Sequence, residues 1–373
     1  MKVVINAFSA RLGGGQTYLK QLLGHLPADA GLDIVLFAPD SLAVAPDPRI
    51  SRPTVKWPVG NPLLRAVWER LVLPGILRRT RADILFCPGG VVATCAPDGC
   101  LTVTMFRNMI PFTPELVHQM RWGSQRLRNI VLKRVMLRSM AAADLTIFIS
   151  EFAKSVILAS GPVKKSVTIS HGISDTFRTA DDIVLRPKTL PKKDYLLYVS
   201  RFDIYKHHRE VVQAYAALPD ALRNRYPLVL IGECDTPEAE AVRRMTGETG
   251  LTANVQIMGA VPYAELPAWY HHAKLSLFAS SCENCPNILL EALGAGRPVL
   301  SSNVMPMPEF GGEDILYFAP DDPATLTTAM LAVLTDEATE QRVAKAAKAE
   351  SGRYHWNTTA ARTWVALREL GTP

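Results

Sequence analysis

Two glutamates, Glu283 and Glu291, stand eight residues apart in the stretch Ser280 to Pro308. An apolar run just before it, Lys274 to Ala279, reads as a buried parallel strand, and Ile288, Leu289, Ala292 and Leu293 repeat at helical spacing. Eight residues are about 2.2 helical turns, so both carboxylates can face roughly the same way near the start of one helix. A strand-to-helix loop of this kind is where open parallel sheets bind ligands. The same pair also fits a first-turn acid complementing the helix dipole and a second acid on a solvated face, and spacing alone does not separate the two.

Two cations have a similar setting. Arg201 and Lys206 follow the apolar run Tyr195 to Ser200. Arg can grip phosphate oxygens through its fork and Lys as a point charge, although surface charges would look alike. Gly13, Gly14 and Gly15 lie between a first strand and a first helix, where glycine allows close backbone approach and a helix N-terminus supplies free N–H groups. The run is neither GxGxxG nor GxxxxGK[ST], so it supports no dinucleotide fingerprint and no P-loop. Taken together, cations suit a diphosphate and carboxylates suit sugar hydroxyls. A nucleotide sugar has both parts.

The elements that must position these residues alternate between strand and helix along the chain, the mark of parallel α/β architecture. Expected strands of a first domain are Lys2 to Ala7, Asp33 to Ala38, Asp83 to Cys87, Leu101 to Met105, Leu145 to Ser150 and Val167 to Ser170. Helices are expected over Thr17 to His25, Leu63 to Arg79, Pro114 to Ala142 and Glu151 to Ala159. The charged, Pro-rich Gly172 to Asp194 reads as a linker. A second alternation follows, with strands at Tyr195 to Ser200, Leu228 to Gly232, Val255 to Met258, Leu275 to Ala279, Val299 to Ser301 and Ile315 to Phe318. Its helices are His207 to Leu218, Pro237 to Gly247, Ala264 to His272 and Ile288 to Ala295. A last helix, Thr358 to Leu370, is placed to brace the two domains. Two doubly wound domains with a cleft between their strand ends are the simplest arrangement.

With 373 residues, 48% of them hydrophobic, the chain is long enough for two cores. No uninterrupted apolar run reaches membrane-spanning length, and MKVVINAFSA reads as a strand rather than an export signal. The six cysteines then point to reduced thiols in a cytosol. Cys282 and Cys285 form a CxxC without a second ligand pair, which suits packing better than zinc or redox work. Charge is uneven: residues 1–180 hold 22 Lys/Arg against 11 Asp/Glu, the remainder 19 against 24. An anionic partner is therefore expected for the first half only. His118, Arg121, Trp122, Arg126, Arg128, Lys133, Arg134 and Arg138 crowd one helical region beside Leu127, Ile130, Val131, Val135 and Leu137, with Arg65, Arg70, Arg78, Arg79 and Arg81 adding to it. Such a segment can lie on an anionic membrane face or be a solvated helix with a core stripe. Nucleic acid is not expected, because no basic-aromatic reader motif is present.

These pieces jointly resemble a retaining glycosyltransferase of the GT-B fold, family-4 (group 1) type. Gly13-Gly14-Gly15 with Tyr18 resembles its N-terminal loop. Ile149-Ser150-Glu151-Phe152 and His171-Gly172-Ile173 resemble marks at the end of its first domain. Ser200-Arg201 and Lys206 resemble its diphosphate grip, and Glu283 to Glu291 fits its E-x7-E block, followed by Ala292 and Gly296-Arg297-Pro298-Val299. The resemblance implies two Rossmann-like domains facing a central cleft. Residues 1–174 plus 355–373 would form the acceptor-binding domain, and 175–354 the nucleotide-sugar-binding one. It implies that Glu291 holds the ribose hydroxyls, that Glu283 hydrogen-bonds the transferred sugar, and that backbone around Pro286, Asn287 and Ile288 orients it. No cofactor or metal is expected beyond a UDP- or GDP-linked donor, since Arg201, Lys206 and helix dipoles would stabilise the leaving diphosphate. The expected reaction is hexose transfer to a lipid-linked or polysaccharide acceptor in bacterial surface glycan synthesis, in the cytoplasm with peripheral contact at the inner membrane face.

The chain departs from that pattern twice. Where many relatives carry a His after the fourth strand of the first domain, it reads Met105 to Phe112, leaving Arg107 or Asn108 to take that place. Asn284-Cys285-Pro286 also replaces the usual Gly-Phe-Gly. Two other readings therefore stand beside transfer. One is a sugar-nucleotide epimerase or hydrolase of the same fold, which would consume donor without acceptor. The other is a non-catalytic scaffold, which would bind donor without turnover.

Overall fold

The computed structural model describes residues 1–11, 13–28, 31–119, 123–178, 186–187 and 189–371. The chain divides into two compact units, one of residues 1–171 with 356–373 and the other of residues 172–355.

The first unit holds a seven-stranded, wholly parallel sheet. Its strands are β1 (Lys2–Asn6), β2 (Asp33–Phe37), β3 (Ile50–Ser51), β4 (Ile84–Cys87), β5 (Leu101–Phe106), β6 (Leu145–Phe148) and β7 (Ser166–Thr168), in the order β3-β2-β1-β4-β5-β6-β7. Val3 pairs with both Ile34 and Ile84, so β1 and β4 are central neighbours and the winding reverses between them. Strands buried on both faces need near-continuous apolar runs, and ILFC of β4 and LTIF of β6 are buried throughout. The helix Trp356–Gly371 belongs to this unit. Its Trp364 Nε1 donates to Leu22 O (3.2 Å), and Thr363 sits 3.4 Å from the Tyr18 hydroxyl.

The second unit holds a six-stranded parallel sheet of β8 (Leu196–Val199), β9 (Leu228–Ile231), β10 (Val255–Gly259), β11 (Leu275–Phe278), β12 (Val299–Ser302) and β13 (Leu316–Phe318). The order is β10-β9-β8-β11-β12-β13. Here the winding reverses between β8 and β11, which pair directly through Leu275 and Leu196.

The helix expected over Leu63 to Arg79 is two helices, Pro62–Leu71 and Leu73–Thr80, meeting at Val72. Pro74 causes the break, because it has no N–H to continue the first ladder and its fixed φ suits a new first turn. The region Pro114 to Ala142 holds the helices Pro114–Gln119 and Ser124–Ala142, while Arg121 and Trp122 lie outside the described residues. Ala264 to His272 begins as a 3-10 turn, Tyr263–Glu265, before the helix Leu266–His271. Two long helices, Pro323–Thr335 and Glu337–Ser351, and the two-residue β3 were not expected. Among the described residues no helix is long and apolar enough to cross a membrane.

Candidate active site

The second unit brings four of the candidate residues to one end of its sheet. Arg201 and Lys206 follow β8, Glu283 follows β11, and Glu291 lies in the helix Asn287–Gly294 that leaves the same loop. β8 and β11 flank the reversal point, the place where doubly wound sheets leave a crevice outside their carboxyl ends.

Lys206 closes a one-turn helix, Ile204–Lys206, whose fold is set by its N–H donating to Asp203 O (2.9 Å) and by the Tyr198 hydroxyl donating to its carbonyl (2.6 Å). Its ammonium is buried and donates to Glu283 Oε1. The cation also lies 5.3 Å from the Tyr205 ring and 5.6 Å from the Phe278 ring. An ammonium has three donors, so the bond to Glu283 leaves others for an incoming anion. The two loops are stitched together beside this pair. Ser281 N–H donates to Tyr205 O (2.8 Å), and the His207 Nε2 lies 2.8 Å from the Ser281 hydroxyl. Under them His208 stacks on Phe202 at 4.0 Å, and burial pushes its imidazole down to about 3. It therefore stays neutral and puts no second positive charge beneath Lys206.

Arg201 is more exposed, with its guanidinium 3.6 Å from Asp203 and 3.7 Å from Glu233. Burial raises the Asp203 carboxyl above its usual range, with Arg201 and Lys206 pulling the other way. At these lengths the Arg201 contacts are loose, so the fork can turn to another anion at small cost. What fixes its backbone is Gly232 at the end of β9. A Cβ built there would stand 1.9 Å from Ser200 O and 2.5 Å from Ser200 C, both backbone atoms. Gly232→Ala is therefore expected to push the ends of β8 and β9 apart. The expected destabilisation is roughly 1–3 kcal/mol, with a loss of activity larger than the stability loss explains. Denaturant titration beside steady-state kinetics checks both.

Glu291 is 9% exposed. Its Oε1 accepts from the Tyr263 hydroxyl at 2.8 Å. Burial pushes its carboxyl up to about 7, with Tyr263 opposing the rise. The helix carrying it packs so tightly on the segment Ile173–Phe177 that a Cβ at Gly294 would stand 3.0 Å from Ile173 and 3.2 Å from Phe177. Of the expected backbone donors, Pro286 has no N–H, and Asn287 gives its own to Cys285 O (2.9 Å). Ile288, in the first turn of the helix Asn287–Gly294, is then the amide of this group left to meet a ligand. Cys282 and Cys285 are both buried, as a packing role requires.

The remaining candidates lie in the first unit. Gly13, at φ 62°, precedes the helix Gly14–Gly24 and uses its carbonyl to accept from Gln16 (3.0 Å) and Thr17 (3.3 Å). Arg107 and Asn108 follow β5, the fifth strand of this unit because of the short β3. Asn108 Oδ1 accepts from Ile110 N–H (3.2 Å) and so turns the chain, whereas the Arg107 guanidinium lies 5.5 Å over the Tyr18 ring. Tyr18 in turn stacks on His171 (5.5 Å), and His171 lies 5.3 Å from Trp356. Tyr263 and this aromatic group were missed in the sequence. Nothing in spacing announces either, although Tyr18 and His171 each stand in a recognised motif.

Two parallel Rossmann-like units, one with cations and acids at its reversal point, make up the GT-B fold of glycosyltransferases. The chain belongs to the glycosyl transferases of the group 1 and family 4 type: residues 182–350 match the family model Glycosyl transferases group 1, and residues 12–177 match Glycosyltransferase Family 4. It is 28% identical over 277 residues to O-antigen chain mannosyltransferase B of Escherichia coli, covering 72% of this chain and 70% of that one. It is 27% identical over 268 residues to the serotype-specific mannosyltransferase WbdA of Escherichia coli, covering 69% of this chain but only 32% of that protein. The fold matches that of HepE from Anabaena, solved in complex with UDP, with a TM-score of 0.74 at 18% identity, over 99% of this chain and 100% of that one.

Proposed function

We propose that this glycosyltransferase moves a hexose from a UDP- or GDP-sugar to a lipid-linked or polysaccharide acceptor, with retention of configuration. The carrying observation is the ion pair of buried Lys206 with Glu283 at the β8/β11 reversal, with Glu291 on the helix that leaves the same loop. In this reading Lys206 and Arg201 hold the diphosphate, Glu291 the ribose hydroxyls, and Glu283 the sugar. The bond from the anomeric carbon to phosphate breaks as the bond to the acceptor oxygen forms on the same face. The acceptor's proton goes to the departing phosphate oxygen, and Lys206 and Arg201 offset the charge developing there. Arg107, rather than Asn108, stands at the position where relatives carry a His, since the Asn108 side chain is spent on its turn. Mannose is the favoured sugar, because the relatives named above are mannosyltransferases.

The test is a panel of GDP-mannose and UDP-sugars with lipid-linked glycan acceptors, followed by NMR of the product linkage. The expected result is acceptor-dependent release of nucleotide diphosphate and a linkage of the donor's own anomeric configuration. An inverted linkage would overturn retention, and equal donor loss with and without acceptor would overturn transfer.

The acceptor side is proposed to touch an anionic bilayer. On the helix Ser124–Ala142, Leu127, Val131 and Val135, spaced four apart, are exposed (61, 49 and 39%) and not a core stripe. Arg128, Arg134 and Arg138 are exposed around them. Basic side chains beside an exposed apolar stripe suit a surface of anionic headgroups. The protein is expected to cosediment with phosphatidylglycerol vesicles at low salt and to be released at high salt. Equal binding to phosphatidylcholine vesicles, or no effect of Arg128→Glu with Arg134→Glu, would count against it.

A further inference from the structure

The family resemblance assigns no role to Tyr263, whose hydroxyl meets Glu291. This tyrosine follows β10, opens the turn Tyr263–Glu265, and crosses to a helix that begins after β11. Its ring is half exposed while its hydroxyl reaches inward to a part-buried bond, and the ring lies 5.7 Å from that of Phe177. The hydroxyl takes one oxygen of Glu291, and Oε2 accepts no hydrogen bond from the described residues. One carboxylate oxygen is thus spent on holding the group, and the other is left to a ligand. A carboxylate offers about four lone-pair sites, so a ribose diol can be received without evicting Tyr263.

We propose that Tyr263 is a positioning residue for the nucleoside diphosphate: its hydroxyl aims Glu291 and holds it as the carboxylate that receives the ribose hydroxyls, while its exposed ring walls the nucleoside. This rests on the reading of Glu291 given under the proposed function. The titratable groups that bear on Glu291 are Tyr263 itself and, from the helix Leu266–His271, Tyr270, whose hydroxyl lies 3.5 Å from Ile288 O. Both phenols stay protonated through the neutral range, raised by burial and by Glu291. Glu291 is therefore the group of this set that changes charge near neutrality. Donor binding should be strong above about pH 7 and weaken as pH falls through it, because protonation removes an acceptor. Losing the Tyr263 hydroxyl removes the contribution that lowers the Glu291 pKa, so the midpoint must move to higher pH.

The experiment is calorimetric titration of GDP and of UDP from pH 5.5 to 8.5, with wild type, Tyr263→Phe and Glu291→Gln. The phenylalanine variant keeps the ring and its packing, and its melting temperature is checked alongside. For whichever nucleotide binds, the expected result is a midpoint near 7 in wild type, raised by about one pH unit in Tyr263→Phe. Affinity should then be nearly equal at pH 8.5, about fivefold weaker than wild type at pH 7 and close to tenfold weaker at pH 5.5, while Glu291→Gln keeps only the pH dependence of the ligand's own terminal phosphate. An unmoved midpoint in Tyr263→Phe, with Glu291→Gln still flattening the profile, overturns the role of Tyr263 alone. If Glu291→Gln binds as wild type does at every pH, the reading of Glu291 fails with it.

Discussion

Lys206→Ala is expected to lower kcat by on the order of 10³-fold, the upper range for losing one preorganised donor to a developing anion. The reason is positional. Lys206 is held by a one-turn helix, by the Tyr198 hydroxyl on its carbonyl and by Glu283 on its ammonium, so in the proposed reaction its charge would cost no reorganisation as the diphosphate leaves. The same burial makes the variant unstable, since Glu283 is left without its cation. Breaking such a pair typically costs roughly 3–5 kcal/mol. Lys206→Met with Glu283→Leu separates the two effects, because it removes both charges at similar volume. The double variant is expected to recover the melting temperature and not the turnover. A Lys206→Ala enzyme within tenfold of wild type would show that this ammonium does not meet the leaving group.

Glu291→Gln is expected to act in opposite directions on binding and on stability. Binding of the nucleotide diphosphate should weaken about ten- to a hundredfold, from loss of charge-assisted hydrogen bonds worth roughly 1.5–3 kcal/mol. Stability should rise, and the sign follows from the carboxyl being pushed up to about 7 by burial. Below about pH 4.5 the group is protonated folded and unfolded, and it contributes no pH dependence. Between there and about 7 the unfolded chain ionises first, so the folded state loses stability as pH rises. Above 7 the loss is constant, roughly 3 kcal/mol. The neutral amide escapes it. Melting temperatures should therefore coincide at pH 4 and separate at pH 8, with the variant higher. A variant that melts lower at pH 8 would contradict the burial of an ionising carboxyl.

Most of the frame was legible because a parallel sheet buried on both faces leaves short, unbroken apolar runs. LLYV, LVLI and LSLF could hardly be anything else, and each is a buried strand. The two residues of β3 carry no such run. The break at Val72 was readable from Pro74, and the helices Pro323–Thr335 and Glu337–Ser351 from Asp322 and Asp336, which cap them. The partnership of Lys206 with Glu283, across 77 residues, followed only once β8 and β11 were neighbours. Tyr263 was out of reach for a different reason. Its bond to Glu291 depends on how the turn after β10 crosses to the helix Asn287–Gly294, and no local period encodes that.

The most direct measurement is a thermal-shift screen of nucleotide sugars on wild type and on the Lys206→Met, Glu283→Leu variant. A ligand that binds only the folded state raises the melting temperature. At least one nucleotide sugar is expected to raise it in wild type and to leave the neutral variant unmoved. Equal shifts in the two proteins would place the donor somewhere other than the end of β8 and β11.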